Sequence, residues 1–350
     1  MAKMNIMYVP ADVEKHADAI IRVCSYHRRD FELVVVHSRP HHMQPVLVSL
    51  QAAFETLPTA DLGILCRLPA ELISMVLREL DILSFFHFRQ VNRRARIFST
   101  GLWEYELVSK HGLEGLRGLL RAELAQYFTI DDLYQPLITD KCSTCGDLGV
   151  LLFLFTADRC CFNCLESSAH YRVLSPSTFA KLTHISPGRL KRLSGSILRT
   201  VPGVYNFLNL SVRRPNHLMF EERASQTLLA TGAISEDAIQ NLRSRREQPG
   251  QRFMAATAYP CYNLGGAVLE RGVSCKGCQV RNEISHGNLD NLHDRDRVFS
   301  TRGFLSHFPQ CVETQHLWAE SEGGTRPVEE PEMTRWGGFC NHQGPDGLPA

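Results

Sequence analysis

Cys142-Ser-Thr-Cys145 and Cys161-Phe-Asn-Cys164 are separated by fifteen intervening residues. Two such knuckles bring four thiolates together, the full ligand shell of a tetrahedral zinc site. The segment between them, Gly149 to Phe155, is apolar and β-prone. It can run out, turn near Thr156-Ala157-Asp158 and return as a hairpin. The expectation is a zinc-ribbon-like unit, with Cys160 either a spare or a substitute for Cys161. A full cysteine shell leaves no open coordination position, so the site reads as structural rather than hydrolytic. No βαβ pattern surrounds either pair, which argues against a redox role.

A second set follows. Cys275-Lys-Gly-Cys278 is another knuckle, and His307 and Cys311 stand four residues apart on a segment that can start a helix at Thr301. Together these four make a plausible second zinc site. Pro309 lies between the last two and disturbs a straight helix. His286, His293 and His316 are alternative ligands. The chain has twelve cysteines, and its first 20 residues carry Asp12, Glu14, Lys15 and Asp18 and no apolar signal region. The expected setting is therefore intracellular, in cytoplasm or nucleus, where clustered cysteines bind metal rather than pair as disulfides.

Composition removes other classes. Lys plus Arg is 38 against 37 for Asp plus Glu, a net charge of +1, so no global field draws the chain to nucleic acid or an anionic membrane. The longest apolar run, Leu148 to Phe155, is too short to span a bilayer. The arginine groups at 93, 94 and 96, at 189, 191 (Lys) and 192, and at 243, 245 and 246 are dispersed and read as solvated faces. No nucleophile motif, P-loop or dinucleotide fingerprint occurs.

The fold class expected is mainly α with small β elements. Asp12 to Tyr26 reads as a helix and Phe31 to His37 as a strand, followed by a turn carrying His37, His41 and His42. Residues 62–110 form a helical block. Pro69 and Glu71 suit a first helical turn, and Leu72, Ile73, Val76, Leu77 and Leu80 fill a broad apolar face. Asp81 ends that helix, Ser84 can cap a second, and Asn92 a third. Glu114 to Phe128 reads as one helix, and Thr129 with Asp132 as a capping box. Ser175-Pro176, Ser186-Pro187 and Ser235 read as helix starts.

The text Leu68-Pro69-Ala70-Glu71-Leu72-Ile73, Val76-Leu77, Leu80-Asp81, then Phe88-Arg89-Gln90-Val91-Asn92-Arg93-Arg94-Ala95-Arg96 with Trp103 beyond, resembles an F-box. Phenylalanines at 85, 86 and 88 replace the leucines frequent there. More broadly, 62–320 resembles filamentous-fungal F-box proteins with cysteine clusters, through Cys142-x2-Cys145, Cys160-Cys161-Phe162-x-Cys164-Leu165, Gly272-Val273-Ser274-Cys275-Lys276-Gly277-Cys278 and Phe304-Leu305-x-His307-Phe308.

The resemblance implies a three-helix F-box, a zinc-ribbon-like hairpin and a C-terminal small zinc-knuckle region. It implies docking on a Skp-type adaptor of a cullin–RING ubiquitin ligase through Leu68, Pro69, Leu72, Ile73, Val76, Leu77 and Leu80. The remainder would bind a substrate protein, with no catalysis by the chain itself. The division is then 1–61, an N-terminal region without assigned role; 62–110, the F-box; 111–140, a helical linker; 141–175, the first cysteine cluster; 176–255, helices and loops; 256–320, the second cluster; and 321–350, a disordered tail. The alternative is a zinc-dependent nucleic-acid-binding regulator, which the near-zero net charge disfavours.

Overall fold

The computed structural model describes residues 12–339 apart from 54–55, 187, 191–195, 206, 208–209, 245–248 and 286–287. It is mainly α with small β elements, and no helix is long and apolar enough to cross a membrane among the described residues. The chain opens with α1 (Ala17–Cys24), β1 (Ser25–Tyr26), α2 (Arg29–Leu33) and α3 (Pro40–Gln51). Two expectations fail here. Phe31 to His37 is no strand: Arg28 pairs with Asp30 at 2.7 Å and Asp296 at 2.8 Å, all three buried, and this fixes a helical turn that outweighs the β-branched run. Only Val36 keeps a single parallel bridge, to Thr257. The expected turn around His41 and His42 is the first part of α3, with Pro40 supplying the first-turn φ.

Next come α4 (Ala70–Glu79), α5 (Ile82–Val91) and α6 (Arg93–Thr100). Asp81, not Ser84, caps α5, its carboxylate accepting the Ser84 N–H at 2.9 Å. An aspartate ending one helix is free to cap the next. Asn92 caps α6 by accepting the Ala95 N–H at 2.9 Å. The block sits on α7 (Trp103–His111), α8 (Leu113–Arg121) and α9 (Asp131–Ile138). The expected Glu114–Phe128 helix ends at Arg121, and Glu123 takes a positive φ there. Thr129 and Asp132 form the reciprocal capping box, the Thr129 N–H donating at 2.7 Å and the Asp132 N–H at 3.3 Å.

The β2 (Leu151–Phe153) and β3 (Asp158–Cys160) hairpin pairs as the spacing implied, Ala157 taking a positive φ at its turn. After α10 (Phe162–Ser167), β4 (Val173–Leu174) and α11 (Pro176–Thr183), a second small sheet orders as β4–β8–β5, from β5 (Ile197–Arg199) and β8 (His217–Phe220), with β6 (Gly203–Tyr205) and β7 (Leu210–Val212) as a separate ribbon. Ser175 caps α11 as expected. The Ser186-Pro187 start falls partly outside the described residues. Two helices, α12 (Glu221–Ala230) and α13 (Glu236–Arg243), follow; Ser235 caps the second. Then β9 (Ala256–Ala258) joins the hairpin on the β2 edge, a third strand the cysteine spacing did not reveal.

The C-terminal part holds the hairpin β10 (Cys261–Asn263) and β11 (Val268–Glu270), then β12 (Ser274–Cys275), α14 (Lys276–Ile284), α15 (Leu289–Arg295), α16 (Thr301–His307), α17 (Val312–Glu320) and α18 (Glu332–Arg335). The tail expected to be disordered from 321 is packed over 321–339: α18 precedes the buried Phe339, and the Gly337 carbonyl accepts the Asp30 N–H at 3.0 Å. Its Gly and Pro residues serve turns of a folded segment, Gly337 and Gly338 taking positive φ. Three apolar clusters result. The largest runs from Phe31 through the helical block to the β2–β3–β9 sheet, a second joins α1 to residues 275–318, and a third lies within 174–242.

Candidate functional site

Two kinds of site arise from these elements, and the first is a helix face. Helix α4 divides its apolar residues between two directions. Ile73 and Leu77, one turn apart, are 5 % and 1 % exposed and enter the core. Leu72, Met75 and Val76 remain 43 %, 58 % and 49 % exposed, beside exposed Ile64, Leu65 and Leu68. Helical phase accounts for the split, since residues three and four apart share a face and the two sets lie about 100° out of step. Of the adaptor-facing residues implied by resemblance, Leu68, Pro69, Leu72 and Val76 are thus exposed and Leu80 is half-buried, whereas Ile73 and Leu77 are buried. Met75 shares the phase of Leu72 and Val76 and is likewise exposed, and Ile64 and Leu65 are exposed on the turn before α4.

The block is held against the body from behind. The buried Arg89 of α5 donates to the Leu50 carbonyl at 2.9 Å, to the Ser49 carbonyl at 3.1 Å and to the Ser99 hydroxyl at 3.2 Å. Tyr105 donates to the Leu50 carbonyl at 2.7 Å, and Arg96 reaches the Ser49 and Ala52 carbonyls. Arg96 therefore serves packing rather than a solvated basic face. Lys191, Arg192, Arg245 and Arg246 lie outside the described residues.

The second kind of site is sulfur-rich. Cys142, Cys145, Cys161 and Cys164 place their Sγ atoms within 4.8 Å of one another. The hairpin brings them together: Cys142 and Cys145 precede β2, and Cys161 directly follows β3. Cys161 caps α10, its sulfur accepting the Cys164 N–H at 3.4 Å, so a helix N-terminus faces the cluster and favours thiolate. Cys160, fully buried on β3, lies outside the set, whereas Cys161 lies within it.

Cys275, Cys278, His307 and Cys311 likewise bring their ligand atoms within 4.8 Å. Cys275 caps α14 and accepts the Cys278 N–H at 3.4 Å, repeating the geometry of the first cluster. Pro309 does end α16, but it does not remove Cys311. The helix stops at His307, and a 3-10 turn over Phe308–Gln310 carries Cys311 back to the knuckle. His307 stacks on Phe299 at 4.5 Å and points Nε2 at the Cys278 sulfur, 3.4 Å away. Of the alternatives, His286 lies outside the described residues, while His293 and His316 are not in the set. The surrounding contacts were not legible in the sequence: the Thr314 hydroxyl lies 2.8 Å from the Cys275 sulfur, and Arg281, paired with Glu313, approaches Cys311 at 3.6 Å.

Both clusters fit a tetrahedral metal ion. Zinc–sulfur bonds of about 2.3 Å give tetrahedron edges of about 3.8 Å. The separations here are 3.6 Å for Cys145–Cys161, 3.8 Å for Cys275–Cys311 and 4.0 Å for Cys278–Cys311. Proton affinities within each cluster diverge. A hydrogen bond from Cys161 holds Cys142 down to about 4, the same contact drives Cys161 up, and burial pushes Cys164 up to about 12. In the second cluster, bonds from Cys275 and Cys278 hold Cys311 well down, while burial pushes Cys275 up to about 12. Metal binding to such a cluster displaces the protons its thiols still carry.

The N-terminus is part of the second cluster. β1 pairs antiparallel with β12, Ser25 opposite Cys275, and Cys24 packs into the same apolar cluster as Cys275, Cys278 and Cys311. Residues 12–26 are thus structural support for a metal-type site 250 residues away.

The family model for the F-box domain matches residues 65–107. No curated protein and no solved structure matches the chain. The match spans α4, α5 and α6 and runs into α7, so it contains the exposed face of Leu68, Leu72, Met75 and Val76. It ends before the cysteine clusters, which rest on their own geometry. The chain accordingly carries an F-box domain at residues 65–107.

Proposed function

We propose that this chain is a substrate-recognition adaptor subunit of an SCF-type cullin–RING ubiquitin ligase. Its F-box would dock on the Skp-type adaptor through Leu68, Leu72, Met75 and Val76, with Pro69 and Leu80 at the margin. An apolar helix face laid in a partner's groove is an established recognition mode. The observation that carries the reading is an F-box whose α4 keeps large apolar side chains in solvent while the opposite face is buried. The residues after the F-box would hold a substrate protein near the ubiquitin-carrying enzyme, raising its local concentration rather than performing chemistry.

Cys142, Cys145, Cys161 and Cys164 would hold one zinc ion, and Cys275, Cys278, His307 and Cys311 a second, both structural. Their all-sulfur and sulfur–imidazole shells support zinc, and closed shells leave no position for a reacting water. On this reading the domain division keeps the F-box and both clusters, but residues 12–26 join the second cluster rather than standing apart.

The test is capture of the full zinc-loaded chain on an immobilised Skp-type adaptor. Wild type is retained; Val76→Asp, folded by circular dichroism, is lost, with affinity falling by at least about 2 kcal/mol, roughly thirtyfold. Retention of a folded Val76→Asp chain at wild-type affinity contradicts docking through this face.

A further inference from the structure

The two cysteine clusters differ in the properties that decide how a sulfur reacts. The second is sealed: Cys275, Cys278 and Cys311 are at most 1 % exposed. Side chains also cover its sulfurs, Arg281 donating to Cys311 at 3.6 Å and the Thr314 hydroxyl lying 2.8 Å from Cys275. Donors that stabilise a thiolate lower its nucleophilicity. The first cluster is open on one side. Cys142 and Cys161 are buried and Cys164 is half-buried, but Cys145 is exposed, on a knuckle whose Ser143, Thr144 and Gly146 are exposed as well. The Cys161 sulfur lies 3.6 Å from that of Cys145. A zinc ion held by these four cysteines keeps them deprotonated at neutral pH. An accessible thiolate with a second sulfur in reach is the arrangement that two-electron oxidants attack first, whereas buried cysteines are inert.

We propose that the first cluster is a peroxide-reactive site in which Cys145 is oxidised and Cys161 resolves it, while the second cluster stays inert; this rests on the zinc reading above and not on the adaptor reading. The Cys145 thiolate attacks one oxygen of hydrogen peroxide. The O–O bond breaks, and the departing hydroxide takes a proton to become water. Cys145 is then a sulfenic acid. Cys161 attacks that sulfur, the S–S bond forms, and the S–O bond breaks to release a second hydroxide, which is protonated in turn. Two thiolates have lost two electrons, and one peroxide has gained them. The cluster is left with two of its four ligands and no longer holds the ion. Cys142 and Cys145 precede β2 and Cys161 follows β3, so both ends of that hairpin are freed together.

The experiment treats the full zinc-loaded chain with hydrogen peroxide beside a chromogenic zinc indicator and maps disulfides by mass spectrometry. One ion per chain should be released about tenfold faster than the other, in step with a Cys145–Cys161 disulfide. Cys145→His keeps a fourth ligand but removes the reacting sulfur, and should slow the fast release to the pace of the second ion. Cys66→Ser, which removes an exposed cysteine outside both clusters, should leave both rates unchanged. Release of both ions at one rate overturns the proposal, as does fast release that persists in Cys145→His or is lost in Cys66→Ser. Should Cys145→His fail to hold its ion, the wild-type map decides: a first disulfide without Cys145 overturns the proposal. Elemental analysis before peroxide separates the two readings. A chain that carries no zinc overturns the metal reading and this one with it, whereas two ions lost in parallel overturn this one alone.

Discussion

Cys160 and Cys161 are neighbours in sequence with opposite fates. Cys160 is fully buried on β3, and Cys161 turns its sulfur to the cluster as the cap of α10. Cys161→Ser should lower zinc content by one ion per chain in elemental analysis, and Cys160→Ser should leave it intact; equal loss from both would contradict the assignment. Gly277, inside the second knuckle, shows the same dependence on single atoms. An added Cβ would collide with the Thr314 backbone nitrogen and hydroxyl. Gly277→Ala should therefore cost about 1–3 kcal/mol and lower the melting temperature of the zinc-loaded chain. The spacing of cysteines made both Cys/His groups legible, because a tetrahedral shell demands few residue types. Thr314 and Arg281 were not legible, since nothing in the sequence places α17 against the knuckle.

At the scale of elements, α4 carries the sharpest contrast. Val76 and Leu77 are adjacent, yet one faces solvent and the other the core. Val76→Asp should keep the fold and lose the adaptor. Leu77→Asp should lose the fold of the helical block, because a carboxylate placed at a fully buried position costs several kcal/mol; amide exchange across α4 to α6 reads the difference. The apolar pattern predicted the helix and its amphipathic character. It merged the two faces, because six apolar residues in nine positions leave the phase ambiguous until the neighbouring helices are placed. Helix α2 failed for another reason: the ion pair of Arg28 with Asp296 joins residues 268 apart, and no local propensity reports it.

For the molecule as a whole, α1 and β1 complete the second cluster from the opposite end of the chain. Removal of zinc by a strong chelator should therefore raise amide exchange in residues 17–26 together with 274–320, while α4 to α6 stay protected. Uniform exposure along the chain would refute this coupling. Deleting residues 12–26 should in turn weaken retention of the second ion without affecting the first. None of this was legible: residues 1–61 carried no motif, and a two-residue strand is too short for periodicity to register. The pairing also sets a timetable for biosynthesis. A ribosome adding about 5–20 residues per second needs roughly ten to fifty seconds to travel from Ser25 to Cys275. For that interval the nascent α1 has no place to lodge Ile20, Val23 and Cys24, which makes this stretch a natural stop for chaperones that patrol emerging chains.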